Sequence, residues 1–194
     1  MTREECLAQH LIADLPGTDE CVISEHTLTL DINGMTRKIT CTGSHLDELV
    51  RGIYCTEGQE RSDRIEPIEW TDKQVYFLAK VFLEYEGIHT YTSAAHMAVL
   101  AKGDDVLCVM EDISRHCAID KVVGYALIND IDLSKCMIYS SGRIQLDTVR
   151  KLVNAGVPVL VSKSVPTLEA IELAKQKGIT IIGKAWPDGC KVFT

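Results

Sequence analysis

From about residue 100 onward the chain alternates strand-length, β-branched runs with helix-length segments, and this order constrains the fold more than any other feature. Val106–Met110 reads as a buried strand, 115–127 as a helix and Cys136–Tyr139 as a strand. A helix over 145–155 follows, with Val149, Leu152 and Val153 on its apolar side. Val157–Val161 is the next strand, 167–177 the next helix, Thr180–Ile182 the last clear strand, and Val192-Phe193 offers an edge strand. Gly156 and Gly178 stand where the last two helices should stop, the position at which a left-handed C-cap favours glycine. Strands and helices joined by links this short imply an α/β fold: a mixed, mostly parallel sheet with helices on both faces.

The first third is different. Residues 1–20 are polar, carry Pro16-Gly17 and are expected to form a loose lead-in. Residues 21–70 read as a small β-rich N-terminal lobe, and 71–194 as the α/β core. Glu25–Leu30 and Arg37–Cys41 flank Asn33-Gly34, a strong hairpin signal. Gly43-Ser44 offers an N-cap to a short helix over His45–Gly52, and Ile65–Trp70 is a strand candidate. Thr71-Asp72 can cap a helix that puts Val75, Leu78, Ala79, Phe82 and Leu83 on one face and stops at Gly87. Tyr91–Leu100 and Val106–Met110 flank Lys102-Gly103-Asp104-Asp105 as a second hairpin.

A length of 194 residues at 46% hydrophobic content suffices for a real core. The net charge of −8 argues against a generic nucleic-acid binder. No apolar run reaches the ~18–20 residues of a membrane span, and the polar N-terminus does not read as a secretory signal, so the expected location is the cytoplasm. The eight cysteines include no C-x-x-C pair and mostly sit in apolar runs, which suits reduced core thiols. His89 and His96 lie seven apart, not at the i, i+4 spacing of a helical zinc site, and no cysteine pair completes a ligand set; no zinc or other metal is expected.

The segment Glu111–Lys121 carries seven ionisable side chains in eleven positions, yet joins a strand to a helix. Charge at such a junction costs desolvation free energy unless it is paired or meets a ligand. In open α/β sheets these junctions, at the carboxyl ends of strands, are where ligands bind. Arg115 and His116 can bind an anion together, helped by the amides at the helix start, with Glu111 and Asp112 orienting them or pairing with them. Cys117, in the first turn beside both, is the best-placed nucleophilic thiol. Ser141-Gly142-Arg143 and Ser162-Lys163-Ser164 follow the next two strands and repeat the logic of hydroxyls plus a cation. Three such junctions share one sheet edge, so the expected ligand is an anion, a nucleotide or another phosphate-bearing molecule. A structural salt-bridge network and ordinary helix caps are the plainer readings of the same residues.

Glu111–Lys121, Ser141-Gly142-Arg143 and Pro158–Thr167 together resemble the formate dehydrogenase accessory sulfurtransferase family, known as FdhD. Cys41-Thr42-Gly43, Leu46, Glu48-Leu49, Gly52-Ile53-Tyr54 and Glu57-Gly58 are similar to a further pattern of that family, so the resemblance runs from about residue 21 to the end. It implies a cytidine-deaminase-like fold without the zinc. It implies an activity, transfer of persulfide sulfur from a cysteine desulfurase to the molybdenum bis-molybdopterin guanine dinucleotide cofactor of formate dehydrogenase. It implies those two enzymes as partners and a homodimer. Its motifs cover Glu111, Asp112, Arg115, His116, Asp120, Lys121, Ser141, Gly142, Arg143, Ser162, Lys163, Ser164 and His96 as cofactor-binding candidates, with the guanine dinucleotide or a guanine nucleotide as ligand.

The chain departs from the family where the chemistry lies. The family's C-x-x-C persulfide loop is absent here: Glu57-Gly58 leads to Ile65–Trp70 and then into the helix from Thr71. No cysteine inherits the catalytic position, and Cys117 and Cys55 are what remain as candidates. Thr92-Ser93-Ala94-Ala95-His96 stands where the family has Thr-Gly-Gly-x-His, Ser114 where it has glycine, and Cys117 where it has asparagine. Two functions therefore compete: an accessory protein that moves sulfur to the cofactor, and a non-catalytic carrier or chaperone for a nucleotide or pterin cofactor. A deaminase-like hydrolase needs a zinc-activated water, for which the sequence offers no His/Cys cluster.

Overall fold

The computed structural model describes residues 1–59 and 61–194. In chain order it contains α1 (Arg3–Ala8), β1 (Ile12–Asp14), β2 (Cys21–Ile23), β3 (His26–Ile32), β4 (Met35–Cys41), α2 (Leu46–Thr56), α3 (Asp72–Glu84), α4 (Ile88–Thr92), β5 (His96–Lys102) and β6 (Asp105–Asp112). There follow α5 (Arg115–Ile128), β7 (Met137–Ser140), α6 (Leu146–Ala155), β8 (Val159–Ser162), α7 (Leu168–Lys177), β9 (Thr180–Trp186) and β10 (Gly189–Val192).

A six-stranded sheet in the order β10-β9-β8-β7-β5-β6 forms the centre. β7, β8 and β9 run parallel, while β5 is antiparallel to both its neighbours and β10 is antiparallel to β9. The sheet is thus mixed, with a parallel middle. Helices cover both faces. Ala98, Leu100, Ile138, Leu160 and Ile181 point toward α5, α6 and α7. Their alternates Met97, Val99, Tyr139, Val161 and Ile182 meet Val75, Leu78, Ala79 and Phe82 of α3. This two-sided burial explains why β7 and β8 read as continuous apolar runs without alternation.

α2 and α5 pack backbone to backbone. A Cβ on Gly52 would lie 1.8 Å from the Asp120 carbonyl oxygen, and one on Gly124 1.8 Å from that of Glu48. Two reciprocal glycines thus set how closely the helix of the N-terminal third approaches the core.

Several local expectations hold. β3 and β4 pair in full register around Asn33-Gly34, both at positive φ (53° and 76°), as a two-residue hairpin with a primed turn requires. Thr71 caps α3 through a capping box with Gln74. Gly156 and Gly178 end α6 and α7 in the left-handed region.

Others are corrected. The first twenty residues are structured: Thr2 and Glu5 form a capping box on α1, and β1 pairs with β2. α2 begins after His45 rather than Gly43-Ser44 and runs on to Thr56. Ile65–Trp70 forms no ladder; only Ile65 is buried there, and its N–H donates to the Lys177 carbonyl. Leu83 lies in α3 but off its buried face and is exposed, and α3 ends at Glu84 with Tyr85 as its cap, ahead of Gly87. Tyr91 and Thr92 lie in α4, so the hairpin strand starts only at His96.

Candidate functional site

The sheet changes direction between β7 and β5, since the chain order runs outward from that point on both sides. Ligands of open α/β sheets bind at such switch points, beyond the carboxyl ends of the parallel strands. A cavity of about 300 Å³ lies there. Arg115 reaches it from the start of α5, Ser141, Gly142 and Arg143 from the loop after β7, and Lys163 and Ser164 from the loop after β8. His96 at the start of β5 and His89 on α4 complete its basic lining, and among the described residues no carboxylate lines it.

The loops are held firmly. Ser141 Oγ accepts the Met97 N–H at 2.9 Å, and the Ser141 N–H donates to the Met97 carbonyl. Ser162 Oγ donates to the Gly142 carbonyl at 2.7 Å and accepts the Ser164 N–H at 3.0 Å, tying the two loops together. Ser162 itself is fully buried, so it shapes the site from behind. A Cβ on Gly142 would fall 2.8 Å from the Arg115 side chain, so glycine there leaves room for the guanidinium stem. The Lys163 ammonium sits 4.6 Å above the Phe82 ring, a cation–π contact that holds it at the rim. Burial and then the charges of Arg115, His89, Lys163 and Arg143 hold the His96 pKa below its ordinary value.

The pairing of Arg115 with His116 in one anion site is corrected. His116 faces a second cavity, of about 410 Å³, under the β3–β4 hairpin, together with Arg37, Lys38, Glu57, Cys117, Asp120 and Lys151. The wall between the cavities is a side-chain chain: Arg115 donates to Gln145 and lies 3.8 Å from Asp147, whose carboxylate is 3.2 Å from His116 Nε2. Arg115 Nε and His116 Nδ1 are buried without a hydrogen-bond partner among the described residues.

Glu111, Asp112, Asp120 and Lys121 do not line the cavity at the strand ends, and none orients Arg115 or His116. The Glu111 carboxylate accepts the N–H groups of Ile88 and His89, both at 2.8 Å, at the start of α4. Asp112 forms a fully buried ion pair with Lys121 at 2.7 Å, closed by Thr42 and by the Glu111 carbonyl. Asp120 pairs with Lys151 at 3.0 Å and accepts from Thr56 at 2.6 Å, while Lys151 also donates to Glu57. Burial alone would lower the Lys151 pKa, but Asp120 and Glu57 outweigh it and raise it. Sequence reasoning missed Gln145, Asp147 and Lys151 as partners of this segment. Asp147 and Lys151 sit at i, i+4 on one helix, the one local hint that they share a face.

Cys117 is corrected as a nucleophile. It is buried, and desolvation with the nearby charges of Asp112 and Asp120 pushes its pKa up to about 12. These outweigh the hydrogen bond with Ser114, which acts to lower it. Cys55 is half-buried on α2 and is likewise raised, by burial first and Asp120 second. All eight cysteines are free thiols. Among the described residues, no three His, Cys, Asp or Glu side chains gather where they could hold one metal ion. No helix among them is long and apolar enough to cross a membrane.

Fold and cavity together define an α/β protein with a cavity lined by Arg115, Arg143 and Lys163 at its parallel strand ends. Comparison with known proteins makes this specific. Residues 59–194 match the FdhD/NarQ family. Protein FdhD of Methanocaldococcus jannaschii is 31% identical over an alignment covering 93% of this chain and 91% of that protein. A protein named sulfur carrier protein FdhD from Geobacillus kaustophilus is 28% identical, covering 88% and 86%. The fold matches a crystal structure from Desulfotalea psychrophila, assigned as a formate dehydrogenase accessory protein, at a TM-score of 0.81 and 20% identity over 94% of each chain. The chain belongs to the FdhD/NarQ family.

Proposed function

We propose that this protein is a formate dehydrogenase accessory protein that binds the guanine dinucleotide part of the molybdenum cofactor, with the phosphates in the cavity at the strand ends. One observation carries the reading: Arg115, Arg143 and Lys163 come from three separate strand-end junctions and line one cavity, with no carboxylate among its described lining residues. Three cations brought this close repel one another and gain most from a bound polyanion. On this reading the protein works in the cytoplasm as a homodimer, its fold is related to cytidine deaminases without their zinc, and its partners are a cysteine desulfurase and formate dehydrogenase.

The buried, high-pKa thiols favour carrying or protecting the cofactor over moving sulfur to it. Calorimetric titration with guanosine diphosphate tests the site. Arg143→Ala and Lys163→Ala should each cost about 1.5–3 kcal/mol, roughly ten- to a hundredfold in affinity. Wild-type affinity in both variants removes the site. Incubation with a cysteine desulfurase and labelled cysteine separates the two functions. A protein persulfide lost in Cys55→Ala or Cys117→Ala restores sulfur transfer; no label leaves the carrier.

A further inference from the structure

His89 belongs to no motif, yet it lines the cationic cavity with His96, Arg115, Arg143 and Lys163. Its ring has one nitrogen already committed: Nδ1 is 2.7 Å from the Ala95 carbonyl oxygen. A carbonyl only accepts, so Nδ1 carries the hydrogen. In the neutral ring Nε2 is then a bare lone pair, which repels an anion. Nε2 becomes a donor only when the ring takes up a second proton. The main chain of His89 is fixed as well, since its N–H donates to Glu111.

The cavity itself sets the following charged groups around the histidine pair. α4 contributes His89 itself, α5 contributes Arg115, and the loops after β7 and β8 contribute Arg143 and Lys163. On β6, Asp112 lies opposite His96 in the ladder but is paired with Lys121, and Glu111 is occupied by the α4 amides. Asp147 is 3.8 Å from Arg115 on the far side of the guanidinium. Among the described residues no carboxylate lines the cavity to balance its three permanent cations. An anion reverses that balance.

We infer that His89 is an anion ligand of this cavity that acts only as a cation, so that the ligand enters together with a proton. The inference rests on the anion-binding reading above and adds to it a residue and a linkage. A histidine whose pKa rises on binding makes the complex tightest below the pKa of the empty cavity. Affinity then falls as pH rises through the pKa of the occupied one.

Inorganic sulfate is the probe, because its own charge does not change between about pH 5.5 and 8, where histidine titrates. The full chain is titrated calorimetrically across that range in two buffers of different ionisation enthalpy. Sulfate affinity is expected to weaken by about tenfold per pH unit where the proton is taken up, with a binding heat that depends on the buffer. Both effects disappear in His89→Gln, which still binds sulfate weakly. If that variant misfolds, the wild-type His89 imidazole is followed by NMR and must titrate at higher pH with sulfate than without. Sulfate binding with no pH dependence and no proton uptake overturns the inference and leaves the anion cavity standing. A linkage that survives His89→Gln and vanishes in His96→Gln moves the proton to His96 and also overturns it. No sulfate binding at any pH removes the cavity reading and this inference together.

Discussion

Cys117 shows how two influences on one thiol are weighed. Burial, with the charges of Asp112 and Asp120 nearby, raises its pKa, whereas a hydrogen bond with Ser114 lowers it. Burial dominates, and the pKa is pushed up to about 12. Native protein at pH 8 should therefore leave Cys117 unlabelled by iodoacetamide, together with Cys41 and Cys136, both raised to about 11 by burial above all. Mass spectrometry of native and urea-unfolded samples checks this, and rapid native labelling at Cys117 contradicts the burial argument. At the same scale, Arg115, Arg143 and Lys163 were legible because each lies within three residues of a strand end, and the ends of β6, β7 and β8 share one edge of the sheet, with β5 between the first two. Glu111, Asp112, Asp120 and Lys121 were not. Their true partners, Ile88, Thr42, Lys151 and Thr56, lie on elements whose packing no local pattern announces.

At the scale of elements, α2 and α5 carry the sharpest prediction. Gly52→Ala and Gly124→Ala each force a methyl into a carbonyl of the facing helix. Backbone cannot yield as a flexible side chain does, so each should destabilise by about 3 kcal/mol or more in urea unfolding. Substitution of a neighbouring exposed position, Arg51→Ala, should stay within roughly 0.5 kcal/mol. Elements were readable where the signal was stereochemical: the Asn33-Gly34 turn, the Thr71 cap and the glycine stops each demand a particular residue. Ile65–Trp70 misled because its composition suits a strand, but a strand also needs a free edge to pair with. The edges of the main sheet are β6 and β10, and this segment reaches neither.

For the whole molecule, the alternation of strand and helix beyond residue 100 predicted the parallel middle of the sheet and helices on both faces. It did not reveal that the β5–β6 hairpin would join the parallel middle through β5, antiparallel to β7, since a hairpin can pair through either of its strands. A ligand that binds only the folded cavity stabilises the entire domain by mass action. Guanosine diphosphate at a hundred times its dissociation constant should add about 2.7 kcal/mol to unfolding free energy. The urea midpoint measures this, and Arg143→Ala should remove from about half to most of the shift at the same concentration.

Lys121→Met tests the other long-range tie. Removing one member of a fully buried pair leaves Asp112 uncompensated and should cost about 3–5 kcal/mol. The pair matters beyond stability because of its neighbour. Successive residues on a helix point about 100° apart, and here Asp120 grips Lys151 while Lys121 grips Asp112. α5 is thereby keyed in rotation and in height at once, like a shaft with two pins. The two pins hold that helix against turning, and Arg115, Gln145, Asp147 and His116 form the short run of side chains that separates the two cavities at its tip.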